Sequence, residues 1–220
     1  MKAHVYCCLP VFVALVLSAA PELARAGGTN IVYTYGGSFN QRIPADPNAT
    51  RGWMQDAVLT VADHVLICDV NVFISIRHTA AFDLQLFLRG PSGERVTLNE
   101  SDPFEGFYEG ADYIATTFDD EADAGIQDGK PPFAGTFRPR ESLTAFDSQD
   151  AHGDWSLQVC DAYYANTGCL DFFTLLVTVS LPDPPADIPA PGAGGLLLLG
   201  LALSRPVVRL GRAQGQGCGR

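Results

Sequence analysis

Basic side chains are scarce in this 220-residue chain, where 14 Lys and Arg stand against 25 Asp and Glu. Residues 1–26 and 184–220 together hold 6 of the basic and 2 of the acidic ones, so the stretch 27–183 keeps 8 against 23. A surface so poor in cations repels nucleic acid and anionic lipid headgroups and argues against both as partners. Cysteine is scarce too. Only Cys68, Cys160 and Cys169 fall within 27–183, and no Cys-x-x-Cys or histidine-rich spacing occurs, which argues against a structural zinc site. Sustained helical periodicity is missing; the one helical-looking piece, Thr117 to Gly125, is too short and too acidic to nucleate alone. No motif unites His64, His78 or His152 with a serine, so a Ser/His nucleophile is not expected and the chain reads as non-catalytic.

The two ends differ from the middle. A weakly basic start (Met1, Lys2) leads into an almost wholly apolar run from Val5 to Ala20, and Ala24-Arg25-Ala26 supplies the small-x-small pattern of signal-peptidase cleavage. Residues 1–26 are therefore expected to be a secretion signal. From Pro182 to Pro191 a proline-rich run can form neither helix nor inner strand and reads as an extended spacer. A small and leucine-rich segment, Gly192 to Leu203, follows, and then Arg205, Arg209 and Arg212. Spacer, short apolar segment and basic end make residues 184–220 a candidate sorting or anchoring tail. Residues 27–183 have the usual length of one domain.

Within that domain the apolar residues alternate. Val70, Val72, Ile74 and Ile76 share one face while Asp69, Asn71, Ser75 and Arg77 point the other way, as in a half-buried strand. The pattern returns with Phe82, Leu84, Leu86 and Leu88, is closed by the turn formers Gly90-Pro91-Ser92-Gly93, and resumes at Val96 and Leu98. Tyr113 to Phe118, Gly135 to Phe137, Trp155 to Val159 and Phe173 to Val179 are enriched in β-branched and aromatic residues and are predicted strands. Several short strands separated by turn clusters predict an all-β, antiparallel jelly-roll or β-sandwich fold.

Candidate site residues follow from that frame. His78 shares the inward parity of Ile74 and Ile76 and reads as a core histidine with a hydrogen-bond partner rather than a base. Trp155 shares a face with Leu157 and Val159 and reads as a core anchor. Tyr108, Tyr163 and Tyr164 lie in loops where a partner could reach them. In an oxidising compartment three cysteines allow one bridge. Cys160 and Cys169 flank a loop that reads as a hairpin connection, so local closure would join them at a gain of about 2 to 3 kcal/mol and leave Cys68 a lone core thiol. Calcium is the one cofactor to consider, through Asp83, Asp119, Asp120, Glu121 and Asp161 at strand edges; the loop from Asp119 to Asp128 lacks the EF-hand spacing.

The order of these pieces resembles the P domain (P/Homo B domain) that follows the catalytic domain of subtilisin-like proprotein convertases. The resemblance runs through Ile43-Pro44, Val70 to Thr79, Asp83 to Leu88, Gly90 to Gly93 and Thr117 to Ala122. It continues with Pro132 to Gly135, Leu143 to Phe146, Gly153 to Asp161 and Gly168 to Leu170, and so covers about Gly36 to Leu181. The loop after His78-Thr79 departs from the family's pattern, reading Ala80-Ala81-Phe82-Asp83 without a glycine. The resemblance implies a jelly-roll module that stabilises or regulates a protease domain. The tail resembles the PEP-CTERM class of bacterial sorting signals through Ile188, Pro189 and Pro191. Together these readings imply an exported, non-catalytic protein of a Gram-negative-type cell envelope, touching the membrane only through its tail before processing. Its expected partner is a protein at the envelope, a separate serine protease, or a glycan.

Overall fold

The computed structural model describes residues 29–100, 110–163 and 165–181. Ten strands follow in order: β1 (Thr29–Ile43), β2 (Gly52–Trp53), β3 (Ala57–Val61), β4 (Asp69–His78), β5 (Leu84–Arg89), β6 (Arg95–Asn99), β7 (Tyr113–Phe118), β8 (Phe133–Phe137), β9 (Gly153–Asp161) and β10 (Gly168–Leu181). One sheet has the order β1-β10-β4-β7-β8, antiparallel except between β7 and β8. The other has the order β2-β9-β5-β6, with β3 also on β9, and is antiparallel throughout. The sheets pack face to face as an all-β sandwich that does not close into a barrel.

Period-two patterning decides which faces meet. In β4, Val70, Val72, Ile74 and Ile76 are buried in strict alternation with partly exposed neighbours. Leu84, Leu86 and Leu88 of β5, Trp155, Leu157 and Val159 of β9, and Phe173, Leu175, Val177 and Val179 of β10 meet them in one core. Trp155 is the core anchor its parity indicated: its indole N–H donates to the Ala151 carbonyl at 2.9 Å, and its ring meets Phe146 edge-on at 4.9 Å. The β5–β6 hairpin turns at Gly90–Gly93, where Gly93 takes φ +91°, a left-handed value that favours glycine.

The structure corrects the sequence reading in three places. The chain from Asp161 to Gly168 is not a hairpin connection: β9 pairs with β2, β3 and β5 in one sheet, whereas β10 pairs with β1 and β4 in the other. The Cys160–Cys169 bridge accordingly does not form, and Cys160 is a free thiol. Its alternation with Val159 and Asp161 turns it to the outer face, opposite Trp53 and Gln85, while Cys169 is buried in the other sheet opposite Arg42 and Arg77. Cys68 is an exposed free thiol rather than a core one, because Ile67 takes the buried position just before β4. Three strands escaped prediction, β1, the two-residue β2 and β3. β1 contains Gly36-Gly37 and a polar second half, and it holds its place through the ladder to β10, from Thr29 opposite Leu181 to Ile43 opposite Gly168. The short β3 lies on β9. Ala24, Ala26, Ile188, Pro189 and Pro191, and with them the signal and tail readings, lie outside the described residues.

Candidate functional site

Polar groups inside the sandwich gather at one end of β4. His78, its last residue, is buried together with Asp161, the last residue of β9. The imidazole Nδ1 lies 2.8 Å from the Ala80 carbonyl and Nε2 lies 3.3 Å from Asp161 Oδ2, while the His78 backbone N–H donates to Asp112 Oδ1 at 2.8 Å. Since β4 and β9 belong to different sheets, the His78–Asp161 contact spans the sandwich. A second buried polar link does the same. Asn99 of β6 donates to the Tyr113 hydroxyl of β7 at 2.8 Å, and burial pushes that phenol well above its ordinary pKa.

Asp83 lies in a short 3₁₀ turn, Ala81–Asp83, that takes the place of the missing glycine loop. Thr79 donates to the Asn166 side-chain oxygen at 3.0 Å, and Asn166 donates through its amide to Asp83 Oδ2 at 2.6 Å. Burial raises the Asp83 carboxyl above the usual range, with the nearby Asp161 charge adding to it and the Asn166 bond opposing it. His78, Asp83 and Asp161 thus share one neighbourhood, held by Thr79, Asp112 and Asn166, three residues that sequence reasoning missed. A small polar residue in an acidic loop gives no signal of which carboxylate it will meet.

The remaining predicted acids sit elsewhere. Asp119, Asp120 and Glu121 follow β7, whose end at Phe118 pairs with Val72 near the start of β4. Asp120 caps the 3₁₀ turn Leu143–Phe146, accepting from the Leu143 N–H at 3.1 Å, the Thr144 N–H at 3.0 Å and the Ser142 hydroxyl at 2.6 Å. Asp119 accepts from the Glu121 N–H at 2.8 Å. Asp69 and Asp147, which the sequence did not single out, complete this group. Burial raises both their carboxyls, and neighbouring charges add to it: Asp119 and Asp120 for Asp69, Asp69 and Asp120 for Asp147. The Asp119 side chain, by its hydrogen bond, raises Glu121.

From Asp69 to His78 the extended chain of β4 covers roughly 30 Å. The five expected calcium ligands therefore form two groups at opposite ends of a strand rather than one site, and several of their oxygens already accept from protein donors. Among the described residues no set of three or more His, Cys, Asp and Glu side chains is arranged to hold a metal. The His78 side chain is fully buried, with its two ring nitrogens on the Ala80 carbonyl and Asp161.

Exposed aromatic surface lies on the outer faces. Tyr108 and Tyr164 fall outside the described residues. Trp53 is 51% exposed, 6.0 Å from Phe87, which in turn carries the Arg95 guanidinium 4.2 Å above its ring. On the other sheet Phe172, opposite Ser75, and Ile114 of β7 are each 49% exposed. Neither patch was legible as exposed from the sequence, because an apolar residue in a strand declares its parity only once the buried face is known.

The sequence profile described as "Proprotein convertase P-domain" matches residues 67–177. No protein of curated function matches. Among solved structures the chain is similar to a serine protease of Aeromonas sobria, at 16% identity over 69% of this chain and 27% of that one, with a TM-score of 0.43. It is similar also to that protease in complex with the chaperone ORF2, at 17% identity over 70% and 28% of the two chains, again with a TM-score of 0.43. The chain thus spans little more than a quarter of the length of either.

Proposed function

The chain belongs to the proprotein convertase P-domain family, and on that premise we propose that it is a non-catalytic accessory module that docks on a subtilisin-like serine protease and stabilises it. The observation that carries this reading is the extent of the match, from Ile67 just before β4 to Val177 in β10, which takes in strands of both sheets. The exposed apolar residues of the sheet that holds β4 and β10, Phe172, Ile114 and Val32 among them, support a protein contact, since exposed apolar patches commonly mark interaction surfaces.

In the same reading residues 1–26 direct export. The tail 184–220, similar to a PEP-CTERM signal, holds the module at a Gram-negative-type cell envelope until it is processed. The test is affinity capture with the tagged full chain from a cell-envelope fraction, followed by thermal inactivation of the captured protease. Co-purification of a subtilisin-like protease that loses heat resistance when this chain is deleted supports the proposal. Capture without any protease, and unchanged proteolytic heat resistance in the deletion strain, would overturn it.

A second reading, glycan binding, draws on Trp53. It is half exposed beside Phe87, and Gln158 on the same outer face donates to Asp56 Oδ2 at 2.8 Å. Stacking of a sugar ring would quench Trp53 fluorescence and leave that of buried Trp155 unchanged. An unresponsive spectrum across a glycan panel removes this reading.

A further inference from the structure

β1 ends its sheet, and from Thr29 to Gly36 it runs along the edge with no described strand on its far side. Which backbone groups face outward follows from β10. The Thr178 carbonyl accepts from the Cys68 N–H at 2.8 Å and so points away from β1. In a strand the N–H and C=O of one residue point to the same side, and the side alternates along the chain, so Val177 and Val179 turn theirs toward β1. Tyr33 and Ile31 stand opposite them in the ladder, which leaves the N–H and C=O of Asn30, Val32 and Thr34 directed outward. Among the described residues no backbone group meets these.

Open sheet edges are ordinarily guarded by lysine, proline, an inward charge or a bulge. This edge has none of these where it is open. Residues 29–41 contain no charged residue and no proline, and the ladder to β10 is regular from Thr29 to Ser38. Val32 is 55% exposed and Ile31, on the opposite face of the strand, 38%. Tyr33 and Tyr35 stack on the Ile31 face with ring centroids 6.4 Å apart. The neighbouring β10 is likewise uncharged from Phe172 to Leu181.

We propose that this edge pairs with the same edge of a second copy of the chain, antiparallel about a two-fold axis at Val32, so that the two sheets become one. Charge and register select that occupant. With 8 basic and 23 acidic residues in 27–183, two copies repel one another over most of their surface and meet best at an uncharged margin. The same margin holds no countercharge for a charged partner strand. Pairing about Val32 sets Val32 against Val32, Ile31 against Tyr33 and Asn30 against Thr34. Residues 30, 32 and 34, whose backbone groups point outward, thereby fall opposite one another as hydrogen-bonded pairs, and no like charges meet. The dimer takes Val32 and leaves Phe172 and Ile114 for the protease contact, so neither reading depends on the other.

The test is sedimentation equilibrium of the full chain over a range of concentration and salt, in a nonionic detergent that keeps its apolar ends apart. The expected result is a reversible monomer–dimer equilibrium that tightens severalfold from low to physiological salt, as the like charges are screened. Val32→Pro removes one outward N–H without touching the ladder to β10, and should weaken the dimer by about tenfold or more with an unchanged circular-dichroism spectrum. Val32→Lys and Val32→Glu set like charges against each other across the axis. Each alone should be monomeric, and an equimolar mixture of the two should restore the dimer. An unmodified chain that stays monomeric at every concentration overturns the proposal and leaves the edge to a strand of another protein. A dimer that salt weakens, that survives the substitutions, or that the mixture does not restore overturns it as well.

Discussion

Carboxyls held above their usual range by partial desolvation and by neighbouring acids make the stability of this domain dependent on pH. Asp69, Asp147, Glu121 and Asp83 all hold their protons more tightly than usual, three of them chiefly through burial and Glu121 chiefly through its bond to Asp119. A carboxyl whose folded pKa exceeds its unfolded one favours the fold while protonated. That contribution is complete below the unfolded value, about pH 4, and is lost as pH rises through the raised folded value. Glu141, held low by bonds from Thr97, and Asp150, held low by His64, act in the opposite sense and lose their contribution only as pH falls below the usual carboxylate range. The melting temperature is therefore expected to be higher near about pH 5 than near about pH 7.5. A scanning-calorimetry series that falls between those two values contradicts this account. Asp69→Asn should narrow the difference by raising the melting temperature at the upper pH, since an amide keeps an acceptor for Thr178 without the charge. At the same scale Trp155→Ala should cost about 3 to 5 kcal/mol in a denaturant titration, through the cavity left against Phe146 and the Ala151 carbonyl left without its donor.

Strands meet here in two ways, by ladders within a sheet and by side chains across the gap between sheets. Most of the cross-gap contact is apolar, but His78–Asp161 and Asn99–Tyr113 are polar clasps. Breaking one side of a buried polar pair leaves the other unmet, so Asp161→Ala is expected to destabilise by about 3 kcal/mol, measured by denaturant titration. A loss no greater than that of an exposed Asp→Ala change would mean that the clasp contributes nothing. Cys160→Ser gives the converse test of the connection between β9 and β10. A bridge to Cys169 would contribute about 2 to 3 kcal/mol, but the free thiol on the outer face predicts a melting temperature that the substitution leaves unchanged within error. The alternation of β4, β5, β9 and β10 was readable because each strand has one dry and one wet face. β1 was not readable, since its place comes from its ladder with β10 rather than from its own pattern.

The described residues form a two-sheet sandwich with exposed apolar residues on both outer faces. If Phe172 and Ile114 meet a partner, Phe172→Asp should abolish co-purification of the protease while leaving the melting temperature unchanged, because the side chain stands outside the core. Retained capture with that variant would move the interface elsewhere. By itself the sequence determined the all-β class, the turn at Gly90–Gly93, the inward parity of His78 and the anchoring role of Trp155, because local alternation and turn chemistry act over a few residues. It also carried the family resemblance, which the match over residues 67–177 bears out. Only the tertiary structure decided that β9 and β10 lie in different sheets, that Cys160 is a free thiol, and that five acids chosen for one cation stand in two groups at either end of β4. Those are facts about which distant strands become neighbours. A period-two pattern is silent on that point, because it fixes the face a side chain takes and leaves the neighbour open.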